Sequence, residues 1–460
     1  MQLRVLSVLL SCVLYAVLGG SSVSVTVFNN GDSTGGMAVD LTEDHVSSGL
    51  ALAAYLSTII EVDGVYTDET KTSTKAIADR VFTGKGLLVQ SFEDIQPNDR
   101  LYVVAPGLLF VWPFVEFGHR VAIESRQSPT GKPIVIESFS DSPRVFLIHD
   151  FFSNEEADGL IKRVLEIDNE QKKLQRSGVG HESGRKTQSA VRTSENAFDG
   201  ESPIAIAMNT RAFDLLNIGD YVEDMADGLQ LLRYQQKQAY IPHTDYFDIG
   251  TAEKWNWDPK DGGSNRFATV FLYLSNVTRG GQTVFPFAEM PAGIDHPASP
   301  SDDEMTIFEK GSWEYKMTRQ CYSKMASYPR KTGAVLFYSQ KGNGALDPMS
   351  EHGGCPVLEG TKWAANLWVW NKRRYGLDGH KLSFDFVNNL DVPVELFWST
   401  TWMYQIPPRS TKNYLTYDDH EWTIKDPNGN VLVVHRAKNE GGDHQVVTVP
   451  VVVSTTKDEL

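Results

Sequence analysis

A chain of 460 residues, with 41% hydrophobic and 22% charged side chains, has the composition of a folded protein with a buried core. At ~150 residues per domain it is long enough for about three domains. Lys and Arg number 43 against 59 Asp and Glu, a net charge of −16, and with no long basic run this argues against a nucleic-acid binder.

The chain opens with one early cation, Arg4, an apolar run from Val5 to Leu18, and small residues from Gly19 to Ser22. That pattern predicts a secretory signal peptide over residues 1–22, too short and wrongly flanked for a spanning helix. Residues 457–460, Lys-Asp-Glu-Leu, are the endoplasmic-reticulum retention address. The two signals support each other and predict a resident of the ER lumen that meets the KDEL receptor, with no membrane span. Cys12 leaves with the signal peptide, so Cys321 and Cys355 remain, either as a disulfide or as two buried thiols. Asn276-Val277-Thr278 is an N-glycosylation acceptor.

Residues 23–137 read as an N-terminal α+β module. Ser22–Asn29 alternates like a strand, Ser47–Ile60 has helical spacing, and Ala78–Val104 reads strand, Gly turn, strand, short helix, strand. This order resembles a ubiquitin-like β-grasp module. Gly107–Gly118 is a strongly apolar join expected to pack on the next domain. That domain is placed at residues 138–376 and opens with a strand and an Asn154-capped helix. The segment Ala292–Lys310 is rich in Pro and acid and is expected to be a surface insertion. Residues 381–455 carry short strands at β-sandwich spacing.

His243 and Asp245 stand two apart in a strand-like run, so imidazole and carboxylate face one side. His352 lies far downstream. Two His and one carboxylate leave three open positions on a metal, the arrangement that non-haem Fe(II) oxygenases use. Lys362 sits in the mostly apolar run GTKWAANLWVW, where burial is costly without an anion, and a small dicarboxylate would supply one.

Four blocks carry a resemblance to a family: Val191–Phe198, Leu229–Phe247, Phe267–Pro286 and Asp347–Val369. From about Arg144 to Lys372 the chain resembles prolyl 4-hydroxylase catalytic domains, of the plant and algal kind especially. The resemblance implies a double-stranded β-helix (jelly roll) using Fe(II), 2-oxoglutarate, O2 and L-ascorbate. It makes His243, Asp245 and His352 the iron ligands, and Lys362 the partner of the distal 2-oxoglutarate carboxylate with Tyr234 and Thr283 as hydroxyl donors. Arg192, Ser194, Tyr240 and Trp368 match peptide-groove positions, and Cys321 with Cys355 matches a pair that algal relatives join. Asp227 stands where the family often has Glu, and the stretch from Ala288 to Arg319 is longer than usual.

Phe386–Val434 resembles the β domain of the von Hippel–Lindau protein, anchored by Tyr404–Pro408 and Thr416–Trp422. That resemblance implies a hydroxyproline pocket at Tyr404, Thr416, His420 and Trp422. The expected fold class is α+β, mainly β: a jelly-roll dioxygenase flanked by the β-grasp module and a C-terminal β-sandwich. The expected function is hydroxylation of peptidyl proline, of the procollagen-proline 4-dioxygenase type, with succinate and CO2 as coproducts. The alternatives are a non-catalytic binder of proline or hydroxyproline peptides, and a hydroxylase of another residue type. A homo-oligomer or a chaperone subunit is compatible with this sequence.

Overall fold

The computed structural model describes residues 22–450 apart from 69, 126–127, 168–172, 180–186, 189–190, 252–254, 375–380, 400, 418–419 and 439–441. The expected signal peptide, apart from Ser22, and the expected retention address at 457–460 lie outside the described residues. Among the described residues no helix is long and apolar enough to cross a membrane.

In the N-terminal region the alternation of Ser22–Asn29 forms β1 and turns Val25 and Val27 into the core. β2 (Met37–Thr42) pairs antiparallel with it. Helix α1 (Gly49–Leu56) begins where the Ser48 hydroxyl accepts from Ala51 N, and it buries Leu52, Ala53 and Leu56. β3 (Arg80–Thr83) and β4 (Arg100–Val104) complete a sheet of order β2-β1-β4-β3, in which β1 and β4 run parallel. The apolar join packs as expected. Phe110 and Trp112 are buried, and Trp112 Nε1 donates to Leu215 O at 2.6 Å. One continuous hydrophobic core runs from β1 through this join into the next domain.

The central domain starts earlier than residue 138. β5 (Arg120–Ile123), β6 (Ile134–Ser140) and β7 (Val145–His149) belong to its large sheet. The polar stretch near Asp141-Ser142-Pro143 is therefore a hairpin turn between β6 and β7, and the expected boundary cuts β6. Helix α2 (Asn154–Leu165) is capped one residue before the predicted Asn154. Ser153 Oγ accepts from Glu156 N at 3.2 Å, and Glu156 Oε2 accepts from Ser153 N at 3.0 Å. This reciprocal box satisfies two orphan donors where a lone Asn would satisfy one. Next come β8 (Glu195–Asp199), α3 (Pro203–Leu215), β9 (Leu229–Tyr234), β10 (Tyr240–His243), β11 (Arg266–Tyr273) and β12 (Thr283–Phe285). They are followed by α4 (Asp302–Met305), α5 (Trp313–Cys321), β13 (Met325–Ser327), β14 (Ala334–Tyr338), β15 (His352–Gly354) and β16 (Lys362–Trp370).

Nine strands form the large sheet, with β8-β9-β16-β11-β14-β7-β6-β5 running from near one edge to the other. The small sheet is β10-β15-β12-β13. The large sheet is covered on both faces, so its central strands read as unbroken apolar runs. Leu231, Val270, Leu272, Ala365, Leu367 and Val369 pack in the core that also holds the buried faces of α2 and α3. Their alternate neighbours Leu232, Tyr234, Phe271, Tyr273 and Ala364 pack with Phe285 and Met325 of the small sheet. Two sheets facing across such an interior agree with the jelly roll of this oxygenase class.

The acid-rich insertion is pinned to the surface. Met305 and Phe308 are buried with Met317 and Cys321, and Arg279 Nε donates to Glu304 Oε1 at 2.8 Å. Cys321 and Cys355 form a disulfide spanning 34 positions, which ties α5 to the end of β15.

The C-terminal region forms two sheets. β17 (Lys381–Asn388), β20 (Ser410–Tyr417) and β23 (His444–Thr448) make one, in the order β20-β17-β23. β18 (Val394–Trp398), β19 (Thr401–Ile406), β21 (Glu421–Lys425) and β22 (Val431–Arg436) make the other, in the order β19-β18-β21-β22. Phe384, Phe386, Leu396, Trp422 and Ile424 fill the space between the sheets as a separate core.

Candidate metal and cosubstrate centre

Antiparallel pairing of β10 with β15 sets His243 opposite His352, with ring centroids 4.6 Å apart. Asp245 lies just past the end of β10, so a bend after the strand turns its carboxylate inward. His243 Nε2 is 3.7 Å from Asp245 Oδ1, and His352 Nε2 is 3.6 Å from Asp245 Oδ2. One ligand atom from each residue lies within 4.8 Å of the other two. Each Nδ1 faces a carbonyl, Ile241 O at 2.9 Å and Ser350 O at 3.0 Å. A carbonyl only accepts, so Nδ1 carries the proton and the Nε2 lone pairs point at the common centre.

Burial and the neighbouring His352 push the His243 imidazole well below its usual pKa. Burial alone would raise Asp245, but the two imidazoles, Arg266 and the Thr269 hydroxyl hold it below the carboxylate range. A neutral His243 imidazole beside an ionised Asp245 is the protonation state a divalent cation needs.

On β16, β9 and β11 the period of two aims Lys362, Tyr234 and Tyr273 into the same interior. Lys362 is 1% exposed, and its Nζ has no hydrogen-bond partner. Its Nζ lies 5.2, 4.9 and 5.4 Å from the ring centres of Tyr234, Phe271 and Tyr273. Burial pushes the ammonium down to about 7. Thr283 is buried on β12, and Tyr273 Oη donates to its hydroxyl at 2.9 Å. An orphaned buried cation ringed by aromatic faces and hydroxyls fits a carboxylate. The donor set fits Fe(II), and the orphaned ammonium fits the far end of a dicarboxylate.

Of the groove residues, Tyr240 stacks on His243 with ring centres 3.8 Å apart. The Arg192 guanidinium lies 4.6 Å from the Tyr240 ring centre, and Nη2 donates to Gln230 Oε1 at 3.1 Å. Trp368 is flanked by Arg266 at 3.7 Å. Ser194 departs from the expected groove wall. It is fully buried, its hydroxyl 2.9 Å from that of Ser177, and it hydrogen-bonds with Tyr234. Asp227 pairs with Arg266 at 2.8 Å and with Arg374 at 3.3 Å. Asn276 is exposed, and its Oδ1 accepts from Lys331 N.

Sequence reasoning passed over three supports of the centre. Thr269 Oγ1 donates to Asp245 Oδ2 at 2.7 Å, and Arg266 Nη1 donates to Asp245 O at 3.1 Å. Fully buried Asn265 holds Phe247 N and O at 2.9 and 2.8 Å. Thr269 is the one small polar residue within the apolar run FATVFLYL, and a threonine on a buried central strand was the signal available.

In the C-terminal sandwich Trp422 Nε1 donates to Thr416 Oγ1 at 2.8 Å, and that oxygen is 3.0 Å from His420 Nδ1. Burial lowers the His420 pKa to about 4, so the ring is neutral near pH 7. A Thr416 hydroxyl that donates to Nδ1 leaves the ring proton on Nε2, which has no partner. A cavity of about 300 Å³ is lined by Trp398, Met403, Tyr414, His420 and Trp422, together with Asp224 and Arg374 of the central region. Tyr404 is absent from that lining. A bulge breaks the alternation of β19 at Met403, which lines the cavity, while Tyr404 pairs with Leu396, packs against the sandwich core and lies under Lys412.

Residues 229–370 match the 2OG-Fe(II) oxygenase superfamily. The chain is 38% identical over 241 residues to "Probable prolyl 4-hydroxylase 6" of Arabidopsis thaliana, covering 52% of this chain and 72% of that protein. It is 35% identical over 241 residues to "Prolyl 4-hydroxylase 2" of the same plant, covering 52% and 70%. Among solved structures, the viral collagen prolyl hydroxylase of Paramecium Bursaria Chlorella virus-1, in its 2OG complex, is 20% identical. That match covers 49% of this chain and 95% of the viral one, with a TM-score of 0.31. With more than a third of the sequence shared over most of a relative's length, the chain belongs to the prolyl 4-hydroxylase family of 2-oxoglutarate and Fe(II)-dependent oxygenases.

Proposed function

We propose that this protein is an ER-lumenal prolyl 4-hydroxylase, which converts peptidyl proline to 4-hydroxyproline with O2 and 2-oxoglutarate and releases succinate and CO2. The observation that carries the reading is the partnerless Lys362 ammonium, buried in the same interior as His243, Asp245 and His352. Fe(II), when bound, supplies the activation of O2 that the protein's own side chains lack. The chain's part is to hold that metal with neutral Nε2 atoms and one carboxylate. Lys362, with Tyr234 and Thr283, orients the cosubstrate by its distal carboxylate. Tyr240, Arg192 and Trp368 bound the groove over the metal, where aromatic faces suit a proline ring. L-ascorbate is the reductant that would keep the iron ferrous. The leader and the Lys-Asp-Glu-Leu terminus support the lumenal address. The relatives' names support proline as the target, and a procollagen-type substrate remains part of the proposal.

The test is succinate release with Fe(II), ascorbate and 2-oxoglutarate over Pro-rich and Gly-X-Y peptides, with mass spectrometry for one added oxygen. His243→Ala is expected to abolish turnover in a folded protein. Hydroxylation retained by that variant would overturn the metal assignment.

A second reading concerns the C-terminal sandwich, proposed to hold the hydroxyproline product. The cavity at Trp398 and Trp422 supports it, because an aromatic wall with one free imidazole N–H suits a hydroxylated ring. Thr416, His420 and Trp422 keep their proposed roles, and Met403 joins the cavity wall while Tyr404 packs on the core beside it. The N-terminal region is proposed to be a ubiquitin-like β-grasp, supported by its parallel central strands and outer antiparallel pairs.

A further inference from the structure

The N-terminal module grips the central domain at two loops, and both lead to the metal centre. Loop 341–345 precedes Asp347, the turn at Ser350 and His352. Loop 258–265 ends at Asn265 and Arg266, which hold the chain around Asp245.

The first grip is Asn30, 6% exposed, at the end of β1. Its Nδ2 donates to Gly342 O at 2.7 Å and to Leu109 O at 2.8 Å, and its Oδ1 accepts from Val111 N at 2.9 Å. The backbones meet so closely that a Cβ at Gly342 would lie 1.8 Å from Asn30 O. Only glycine fits there, whatever its φ.

The second grip is Asp63. Its Oδ1 accepts from Lys260 Nζ at 2.9 Å, and its Oδ2 from Asn343 Nδ2 at 2.7 Å. One carboxylate thus joins the two loops to each other as well as to the module. The other end of the Asn343 amide accepts from Ala345 N at 3.0 Å and shapes the hairpin. Lys260 Nζ also donates to Gly64 O, and Tyr66 N donates to Lys260 O at 2.7 Å.

From the gripped loops the backbone runs on into hydrogen bonds that fix the ligands. Asp347 N donates to Ser339 O at 2.9 Å, Ser350 Oγ donates to Asp347 O at 2.7 Å, and Ser350 O orients the His352 ring. On the other side Asn265 fixes Phe247, two residues beyond Asp245, and Arg266 holds Asp245 O.

We propose that the N-terminal module is an intramolecular brace for the metal centre, with Asn30 and Asp63 as positioning residues that hold the His352 and Asp245 loops in ligating geometry. The inference rests on the metal-site reading above. Outer contacts that orient ligands typically change metal affinity 10–100-fold, and these act at longer range, so ~3–10-fold is expected.

The experiment is a Co(II) titration of the full mature chain at 20 °C, reading dissociation constant and visible absorption, alongside thermal unfolding. Asn30→Ala and Asp63→Ala are compared with wild type and with Ser57→Ala. Ser57 bonds only within its own module in the contacts seen, accepting from Ala78 N and donating to Ala53 O. The expected result is weaker Co(II) binding with altered bands in the two brace variants, and wild-type binding in Ser57→Ala despite a lower Tm. Asp63 is partly exposed, so its variant is expected to fold even where Asn30→Ala does not. Unchanged Co(II) binding in folded Asp63→Ala would overturn the brace, as would equal weakening in Ser57→Ala. A wild-type chain that binds no Co(II) would instead overturn the metal-site reading, and the brace with it.

Discussion

Replacing Lys362 with Met is expected to make the cosubstrate-free protein more stable and unable to respond to 2-oxoglutarate. Met fills nearly the volume of the lysine stem without the charge, and in the structure Nζ makes no hydrogen bond that would be lost. The sign follows from the shift. The folded pKa is lowered from 10.5 to about 7, so the buried charge destabilises the fold fully below pH 7, and the penalty fades as pH rises towards 10.5. At ~1.4 kcal/mol per pH unit, the gap gives on the order of 4 kcal/mol at pH 7, an upper bound before the site relaxes. Half of that would raise Tm by ~2–4 °C in the cooperative unit that the N-terminal and central regions form. The assay is thermal unfolding of both proteins from pH 6 to 10.5, with and without 2-oxoglutarate in the presence of Mn(II). Wild type is expected to be less stable than the variant near neutrality, to converge with it at high pH, and alone to gain stability from the cosubstrate. A variant less stable than wild type at pH 7, or equal stabilisation of both by 2-oxoglutarate, would refute the buried-cation argument.

Thr269→Val removes the hydroxyl that orients Asp245 while keeping its shape, and is expected to weaken Fe(II) or Co(II) binding ~10-fold with little change in Tm. The paired change Cys321→Ala with Cys355→Ala opens a loop of 34 positions and is expected to lower stability by ~3 kcal/mol in denaturant titrations. His420→Ala is expected to erase any preference of the full chain for hydroxyproline over proline peptides, read by calorimetry with the metal centre silenced by His243→Ala. Equal binding of the two peptides by the His243→Ala protein itself would sink the product-pocket reading.

Much of the centre was legible because a strand repeats every two residues. Lys362 stood out from its run alone, because a lysine inside an apolar strand needs an explanation that a surface lysine does not, whereas Tyr234, Thr283 and Trp368 were legible only through the family resemblance. Asp245 was legible only through its spacing from His243, since it lies beyond the strand. Misses came where a bulge displaced a residue that the resemblance placed in a pocket, or where a domain boundary fell inside a strand. A bulge at Met403 puts its side chain rather than that of Tyr404 at the cavity, although both pack on the sandwich core. Ser194 is polar and near the groove in sequence, yet Ser177 and Tyr234 satisfy it. The turn after β6 carries the polar residues of a linker but closes a hairpin. The grips of Asn30 and Asp63 join residues hundreds of positions apart, and no local pattern announces such a contact.

The continuous core that runs from β1 through Trp112 to the helix-covered face of β16 has a consequence for how the molecule comes apart. The N-terminal and central regions share side chains that lose their partners together, so they form one cooperative unit on heating. The sandwich keeps its own core around Phe386 and Trp422, and it meets the rest through contacts such as Trp255 with Trp398, 5.7 Å apart, and the cavity beside Asp224. Calorimetry should therefore resolve two transitions rather than three. A cut between the central region and the sandwich would leave two folded pieces, whereas a cut near Gly107 would leave none intact.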